Sequence, residues 1–202
     1  MTHFAWQELM QQWNQAAFAD AEWASFIPKQ ARASRWLGYS GATDADIAAT
    51  EARLGMDLPP SYRSFLKYSN GWMLMPTSAA LWSTHKIVWF ADSSQDIIDI
   101  WTQEDNLTHT ASFTFRRLTD EEYLVYGEGQ HVFPIRGKYL QTSLEISDLG
   151  DSAIYLLNPQ IITQEGEWEA WMFATWLPGA RRYRSFWDLM QAEYERFIRK
   201  ST

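Results

Sequence analysis

The chain has 202 residues, no cysteine, twelve tryptophans, and 17 Lys and Arg against 25 Asp and Glu, a formal net charge of −8. This length predicts one compact unit that buries roughly 70% of the surface of its unfolded form, which excludes a disordered chain, and the lack of cysteine excludes disulfides, thiolate metal sites and thiol nucleophiles. The negative charge argues against direct binding to nucleic acid or anionic lipid, and no apolar run approaches the ~20 residues of a membrane span, so we expect a cytoplasmic protein.

The first part of the chain predicts helices. Apolar residues recur every three or four positions from Phe4 to Ala17, which indicates an amphipathic helix that ends before Pro28. A second helix begins after Thr43, whose side chain can cap the first turn, and ends at Gly55.

A third helix follows at once. It begins at Pro60 and ends at Asn70 and Gly71, which tolerate a left-handed exit. Beyond it the pattern changes to short β-branched or aromatic runs between Gly, Asn, Asp and Pro, which predict strands over 87–90, 122–126, 131–133, 144–146, 153–157 and 168–175.

Helical spacing interrupts and then ends the strand region. Ile97, Ile98 and Trp101 indicate a short helix, and an apolar stripe from Phe186 to Ile198 indicates a C-terminal one. Helices, then strands, then a helix predict an α+β fold with a largely antiparallel mixed sheet, on which the N-terminal helices and the C-terminal helix pack. The glycines at 127 and 129 indicate a hairpin turn.

A set of spaced residues between positions 47 and 71 carries a family resemblance. Its members are Ile47, Glu51, Leu54, Gly55, Leu58, Pro59, Tyr62, Arg63, Phe65, Leu66, Asn70 and Gly71. In order and spacing they resemble the signature of the SUKH superfamily, and segments 150–159, 166–171 and 185–190 look like its later strands and terminal helix. Residues 1–40 have no counterpart, so the resemblance implies an N-terminal helical extension over 1–40 and a SUKH-like domain over 41–202, within one compact unit.

The resemblance also implies a function. Founding fungal members are regulators linked to cell-wall glucan synthesis, and many bacterial members are immunity proteins that neutralise polymorphic toxins, often nucleases. We therefore expect a non-catalytic protein-binding domain without a cofactor, in the first place an immunity protein with a toxin domain as partner. The alternative is a regulatory or carbohydrate-binding protein. The motif residues are expected to be mainly structural, with Leu54, Leu58, Tyr62, Phe65 and Leu66 in the core.

The residues themselves offer little catalytic chemistry. The four histidines are scattered and none has a second ligand at metal-site spacing, so no metal site is expected. No nucleophile elbow or phosphate-binding loop occurs. Glu167 and Glu169 would share one face of a strand beside Trp168 and Trp171, which a sugar-cleaving site could use; solvated acids alternating with packed aromatics is the simpler interpretation.

Two acidic stretches and three tryptophans are the candidate partner-binding residues. One stretch contains Asp92, Asp96, Asp99, Glu104 and Asp105 without a base, and the other contains Glu165, Glu167 and Glu169. Such stretches could imitate polyphosphate toward a basic nuclease cleft, or serve only as solvated faces. We expect Trp72, Trp82 and Trp171 to be partly exposed, and Trp89, Trp101, Trp176 and Trp187 to belong to the core.

Overall fold

A computed structural model describes residues 4–75, 79–107, 118–131, 135–174, 177 and 179–200, with the backbone alone for 103–107. The helices are Trp6–Ala19 (α1), Ala21–Phe26 (α2), Lys29–Ser34 (α3), Asp44–Leu54 (α4), Pro60–Tyr68 (α5), Phe90–Ser93 (α6), Gln95–Leu107 (α7), Asp120–Tyr123 (α8), Gly137–Leu140 (α9) and Phe186–Lys200 (α10). The strands are Trp72–Leu74 (β1), Ala79–Leu81 (β2), Val88–Trp89 (β3), Leu144–Glu145 (β4), Ala153–Ile162 (β5), Trp168–Ala174 (β6) and Gly179–Tyr183 (β7).

The central sheet has the strand order β3-β4-β5-β6-β7. The β1–β2 hairpin joins it where Leu81 pairs with Ser147, just beyond β4, and where the Trp82 amide donates to the Ile146 carbonyl at 2.8 Å. Every strand pairing in the described part of the chain is antiparallel. The predicted α+β class is therefore confirmed.

Both faces of the sheet are covered. Along β6, Ala170 and Met172 point into a core that also holds α1, α4, α5 and α10, whereas Trp171 and Phe173 point into a second core. That second core is closed by residues from α6, α7, α8 and α9. The molecule therefore has three layers, and strand residues that alternation would send to solvent are buried.

The helix pair of the family motif forms as predicted. Thr43 and Asp46 make a reciprocal capping box, with amide-to-side-chain distances of 2.9 and 3.1 Å, and Gly55 ends α4 at φ +70°. All five motif residues predicted to lie in the core are buried: Leu54, Leu58, Tyr62, Phe65 and Leu66.

The N-terminal helices belong to the first core. Trp6 lies 5.5 Å from Phe65 and 5.7 Å from Phe186, measured between ring centroids. The helix predicted from Phe4 onward ends earlier than expected, because the Asp20 carboxylate accepts the Glu22 amide at 2.9 Å and thereby caps a new helix.

Several predicted strands are wrong in type or length. Residues 122–126 do not form a strand, because Thr119 and Glu122 make a capping box that starts α8. The turn expected at Gly127–Gly129 is a short 3₁₀ helix, and Phe90 begins α6 instead of extending β3. His131 is not in a strand, and 132–133 lie outside the described residues. The sequence pattern did not predict β1, β2 or β7.

No helix in the part of the chain that the structure describes is long and apolar enough to cross a membrane.

Candidate functional site

The first acidic stretch lies on the outer side of α6 and α7. The side chains of Asp92, Asp96 and Asp99 are exposed, and so is Ile100, with 56% of its surface accessible. We call these four residues the acidic surface. Ile100 is not among the residues predicted to bind a partner. It lies off the apolar stripe that carries Ile98, so helical spacing could have identified it as an exposed apolar residue.

The helix under this surface is fixed to the sheet. Ile98 is buried in the second core, and the Trp101 ring lies 5.2 Å from that of Phe173 on β6. Beneath α6, the Ser93 hydroxyl donates to the Glu145 carboxylate. Burial raises the pKa of Glu145, and the Ser93 hydrogen bond opposes that shift. The acidic surface is therefore presented by packed secondary structure.

The charges of the acidic surface are not neutralised within the described part of the chain, where no Lys or Arg forms an ion pair with Asp92, Asp96 or Asp99. The polar contact of Asp99 is with the Gln95 amide, which donates to it at 2.8 Å. Asp96 and Asp99 are one helical turn apart, so their like charges repel. The backbones of Glu104 and Asp105 continue α7, and their side chains lie outside the described residues.

The second acidic stretch does not form a surface. Glu165 is exposed, but Glu167 is buried, and its carboxylate accepts hydrogen bonds from the Ser61 amide at 2.8 Å and hydroxyl at 2.5 Å, at the start of α5. Burial raises the pKa of Glu167, with the Ser61 bonds acting against it. The expectation of solvated acids is wrong for Glu167, because it caps a helix that packs on the sheet.

Glu169 is fully buried in the opposite layer. Its carboxylate accepts hydrogen bonds from five side-chain donors, at the distances given: Trp171 Nε1 at 2.7 Å, Asn158 Nδ2 at 2.9 Å, Tyr126 Oη at 3.1 Å, Arg182 Nη1 at 3.2 Å and Tyr123 Oη at 3.4 Å. The prediction that Glu167 and Glu169 share a face is wrong, because Glu167 precedes the regular pleat of β6. These two carboxylates do not converge on one cleft.

Arg182, the ion-pair partner of Glu169, connects the second layer to the edge of the sheet. Both side chains of the Arg182–Glu169 ion pair are fully buried. Arg182 also donates to the carbonyl of Tyr123 and lies 3.9 Å from the centre of that ring. The Gln130 side chain bonds to the Arg182 backbone amide at 2.8 Å and carbonyl at 2.6 Å. These contacts hold α8 and the following 3₁₀ helix on β6 and β7, which is a structural role.

Two of the three tryptophans predicted to be partly exposed are buried. Trp72 lies between Trp13 and Trp36, at centroid distances of 6.2 and 5.0 Å, and has no accessible surface. Trp171 faces the second core, with its indole N–H on Glu169. The prediction of partial exposure was based on polar neighbours in sequence. Such neighbours do not indicate whether other elements of the fold cover the ring.

Trp82 is the member of the three that is partly exposed. Its indole N–H donates to Asp148, and the Lys86 ammonium lies 5.7 Å from the centre of its ring. The tryptophans predicted to be core are partly buried and pack on the two cores where the structure describes them: Trp89, Trp101 and Trp187. Trp176 lies outside the described residues.

The polar residues of the family motif hold loops in place. Glu51 accepts the Leu58 amide at 3.0 Å and lies 3.6 Å from Arg63. Asn70 accepts the Thr84 amide at 2.8 Å and donates to its hydroxyl at 3.3 Å. These bonds connect the helix pair to its own loop and to the segment after β2.

No group of three or more His, Asp or Glu that could hold a metal ion occurs among the residues whose placement is described.

Two comparisons with known proteins bear on this arrangement. The family model described as SMI1 / KNR4 family (SUKH-1) matches residues 41–192, which include the motif helices, the acidic surface and the central sheet. A comparison with curated proteins finds no match.

Proposed function

The chain belongs to the SMI1 / KNR4 family (SUKH-1), and from that membership we propose that it is a non-catalytic immunity protein whose acidic surface binds a toxin domain. Members of this family act through interactions with proteins. The proposed partner has a basic cleft of the kind that nucleases use to hold a phosphate backbone.

The acidic surface is the observation that carries this proposal. Asp92, Asp96 and Asp99 are exposed and form no ion pair with a base in the described part of the chain, and the exposed Ile100 lies on the same helix as the last two. The carboxylates would attract a basic cleft over long range and then face its Lys and Arg side chains. Ile100 would supply the apolar contact that loses water at the centre of the complex. Inhibition would be stoichiometric, because the bound chain fills the cleft.

The burial of the other candidate residues supports the acidic surface as the binding site. A sugar that binds by stacking needs an accessible aromatic ring, and among the candidate tryptophans the rings of Trp72 and Trp171 have no accessible surface. A sugar-cleaving enzyme would need two carboxylates on one cleft, and Glu167 and Glu169 lie in different layers. Of the acids that the sequence singled out, Asp92, Asp96, Asp99 and Glu165 are exposed in the described part of the chain, and the first three belong to the consecutive helices α6 and α7.

Co-expression tests the proposal. The genes beside this one in its native genome are searched for a toxin domain, which is then expressed in a host with and without the chain, and survival is measured. We expect the wild-type chain to protect the host. The variant Asp96→Lys/Asp99→Lys should lose protection, while Asp57→Lys/Glu8→Lys, which changes the net charge equally at exposed positions elsewhere, should keep it.

Thermal unfolding of both double variants checks that each is folded. If a folded Asp96→Lys/Asp99→Lys variant protects as well as the wild type, the acidic surface is not the binding site. If the chain gives no protection and instead changes wall glucan content, the regulatory alternative is correct.

A further inference from the structure

A cavity of about 470 Å³ opens between α3, the segment 35–40 that follows it, and the β1–β2 hairpin. A volume in this range is typical of a ligand pocket. None of its described lining residues is charged. The exposed bases of this region, Lys29, Arg32 and Arg35, are not part of the lining, and Arg35 lies over the Phe18 ring at 5.2 Å. A charged ligand would lose hydration without meeting an opposite charge, so the cavity suits a neutral one.

The walls of the cavity are mainly apolar and partly aromatic. They include Ala31, Trp36, Leu37, Tyr39 and Met73. Trp36 is partly exposed, and 53% of the surface of Tyr39 is accessible. An accessible aromatic ring can pack against a flat apolar group of a ligand.

Contacts inside the chain fix these walls. Gly38 pairs with Trp72, and a Cβ at Gly38 would lie only 2.2 Å from Ser69 Oγ and 2.8 Å from Trp36 Nε1. Trp36 packs edge-on against Trp72 at a centroid distance of 5.0 Å. The Tyr39 amide donates to the Ser69 hydroxyl at 3.1 Å. Because the backbone around the cavity is already ordered, a ligand that enters it loses little affinity to backbone ordering.

Four neutral polar groups line the cavity and form no hydrogen bond with the residues that the structure describes. They are the Gln30 amide, the Trp36 indole N–H, the Tyr39 hydroxyl and the Ser40 hydroxyl. Each of them can donate a hydrogen bond, and the indole N–H can only donate. These groups are therefore available to a ligand that carries acceptors.

The backbone acceptors of the same segment are already in use. The carbonyl of Trp36 accepts the Ser34 hydroxyl at 3.3 Å, and the carbonyl of Leu37 accepts the Met73 amide at 3.2 Å. The carbonyls of Tyr39 and Ser40 likewise accept hydrogen bonds from the Ser69 hydroxyl and the Asn70 amide. The hydrogen-bonding capacity that remains for a ligand lies mainly in side-chain donors.

We propose that this cavity binds an uncharged, proline-rich segment of a protein partner in the polyproline II conformation. A proline has no backbone N–H, so such a segment presents apolar rings and carbonyl acceptors and needs few acceptors in return. These properties match the uncharged apolar walls and the side-chain donors, and aromatic-lined grooves are one of the recurring ways in which proteins bind such segments.

A sugar fits these walls less well, because each buried hydroxyl also needs an acceptor and the described lining holds no carboxylate. The cavity adjoins the first core, whereas the acidic surface lies over the second. The proposal therefore does not depend on the immunity function.

Fluorescence anisotropy with labelled decaproline tests the site, and a labelled Gly-Ser peptide of equal length is the control ligand. We expect decaproline alone to bind, with an affinity that is the same at about 0.05 M and about 0.5 M salt because the walls are uncharged. Tyr39→Ala removes the accessible ring and should weaken binding about tenfold. Trp36→Phe keeps a ring in the wall but removes the N–H donor, and should weaken binding about fivefold.

Phe26→Ala is the matched control variant, because it removes an exposed aromatic ring that does not line the cavity, and it should leave the affinity unchanged. Circular dichroism confirms that each variant is folded. Failure of decaproline to bind, or equal affinities for wild type, Tyr39→Ala and Trp36→Phe, would overturn the proposal. A change in tryptophan emission on addition of a glucose oligosaccharide, lost in Tyr39→Ala and without decaproline binding, would assign the cavity to a sugar.

Discussion

At the scale of one residue, Glu169 shows how hydrogen bonds and an ion pair stabilise a buried charge in this chain. The carboxylate has no accessible surface, and the donors around it come from four separate parts of the chain. A buried charge is tolerated when its lone pairs are satisfied. Burial, with the nearby carboxylate adding to it, also raises the pKa of Tyr126, which keeps that hydroxyl protonated as a donor.

Removing this carboxylate should be costly. We expect Glu169→Ala to lower the free energy of unfolding by about 3–5 kcal/mol, because Arg182 would remain buried without its partner. Urea denaturation measures the loss. Glu165→Ala, at an exposed position four residues earlier, is the matched control and should change stability by no more than about 0.5 kcal/mol. A loss as small as that of the control would mean that the pair does not hold the second layer.

The sequence could not reveal this network. Residues 165–169 alternate acid with Gly or Trp, a pattern that is typical of a strand with one solvated face. Arg182 and Tyr123 lie 13 and 46 positions away from Glu169. These residues come together because β6 pairs with β7 and α8 covers the sheet. Neither contact can be predicted from the residues next to Glu169 in sequence.

At the scale of the element, helix ends were the most predictable features. Thr43 and Gly55 act on neighbouring residues, so the capping box and left-handed exit of α4 follow from short-range sequence. The same chemistry explains the error at 122–126, where the Thr119–Glu122 capping box outweighs β-branched and aromatic side chains. The start of α5, by contrast, is capped by Glu167, which lies just before β6 and more than a hundred residues away in sequence.

The pH dependence of stability should report this distant cap. Burial raises the pKa of Glu167 in the folded chain above its ordinary value of 4.5, so the folded state keeps the proton to higher pH than the unfolded state. The contribution of Glu167 is therefore greatest below pH 4.5 and is lost as the pH rises through the folded-state pKa.

Glu167→Gln removes this titration. We expect the free energy of unfolding of the variant to fall less steeply than that of the wild type as the pH rises from 4.5 toward neutrality, measured by urea denaturation. The exposed Glu165→Gln should keep the wild-type slope. Identical slopes in Glu167→Gln and wild type would show that the Glu167 carboxyl titrates alike in both states.

At the scale of the whole molecule, the net charge of −8 does not show how the charges are distributed over the surface. Uncompensated carboxylates lie on α6 and α7 over the second core, while uncompensated bases lie on and beside α3 over the first. The acidic stretch was predictable because its charges are consecutive in sequence. The cavity between α3 and the β1–β2 hairpin was not predictable, because its walls come from segments more than thirty residues apart in sequence.

The central claim is that the acidic surface guides and holds a basic protein partner. Its most direct test is the rate constant for association with the toxin domain proposed as its partner, measured by stopped-flow fluorescence at about 0.01 M and about 1 M salt. We predict that Asp96→Lys/Asp99→Lys slows association about tenfold or more at low salt, with the difference from wild type shrinking at high salt. Rate constants for wild type and variant that agree at both salt concentrations would contradict the account.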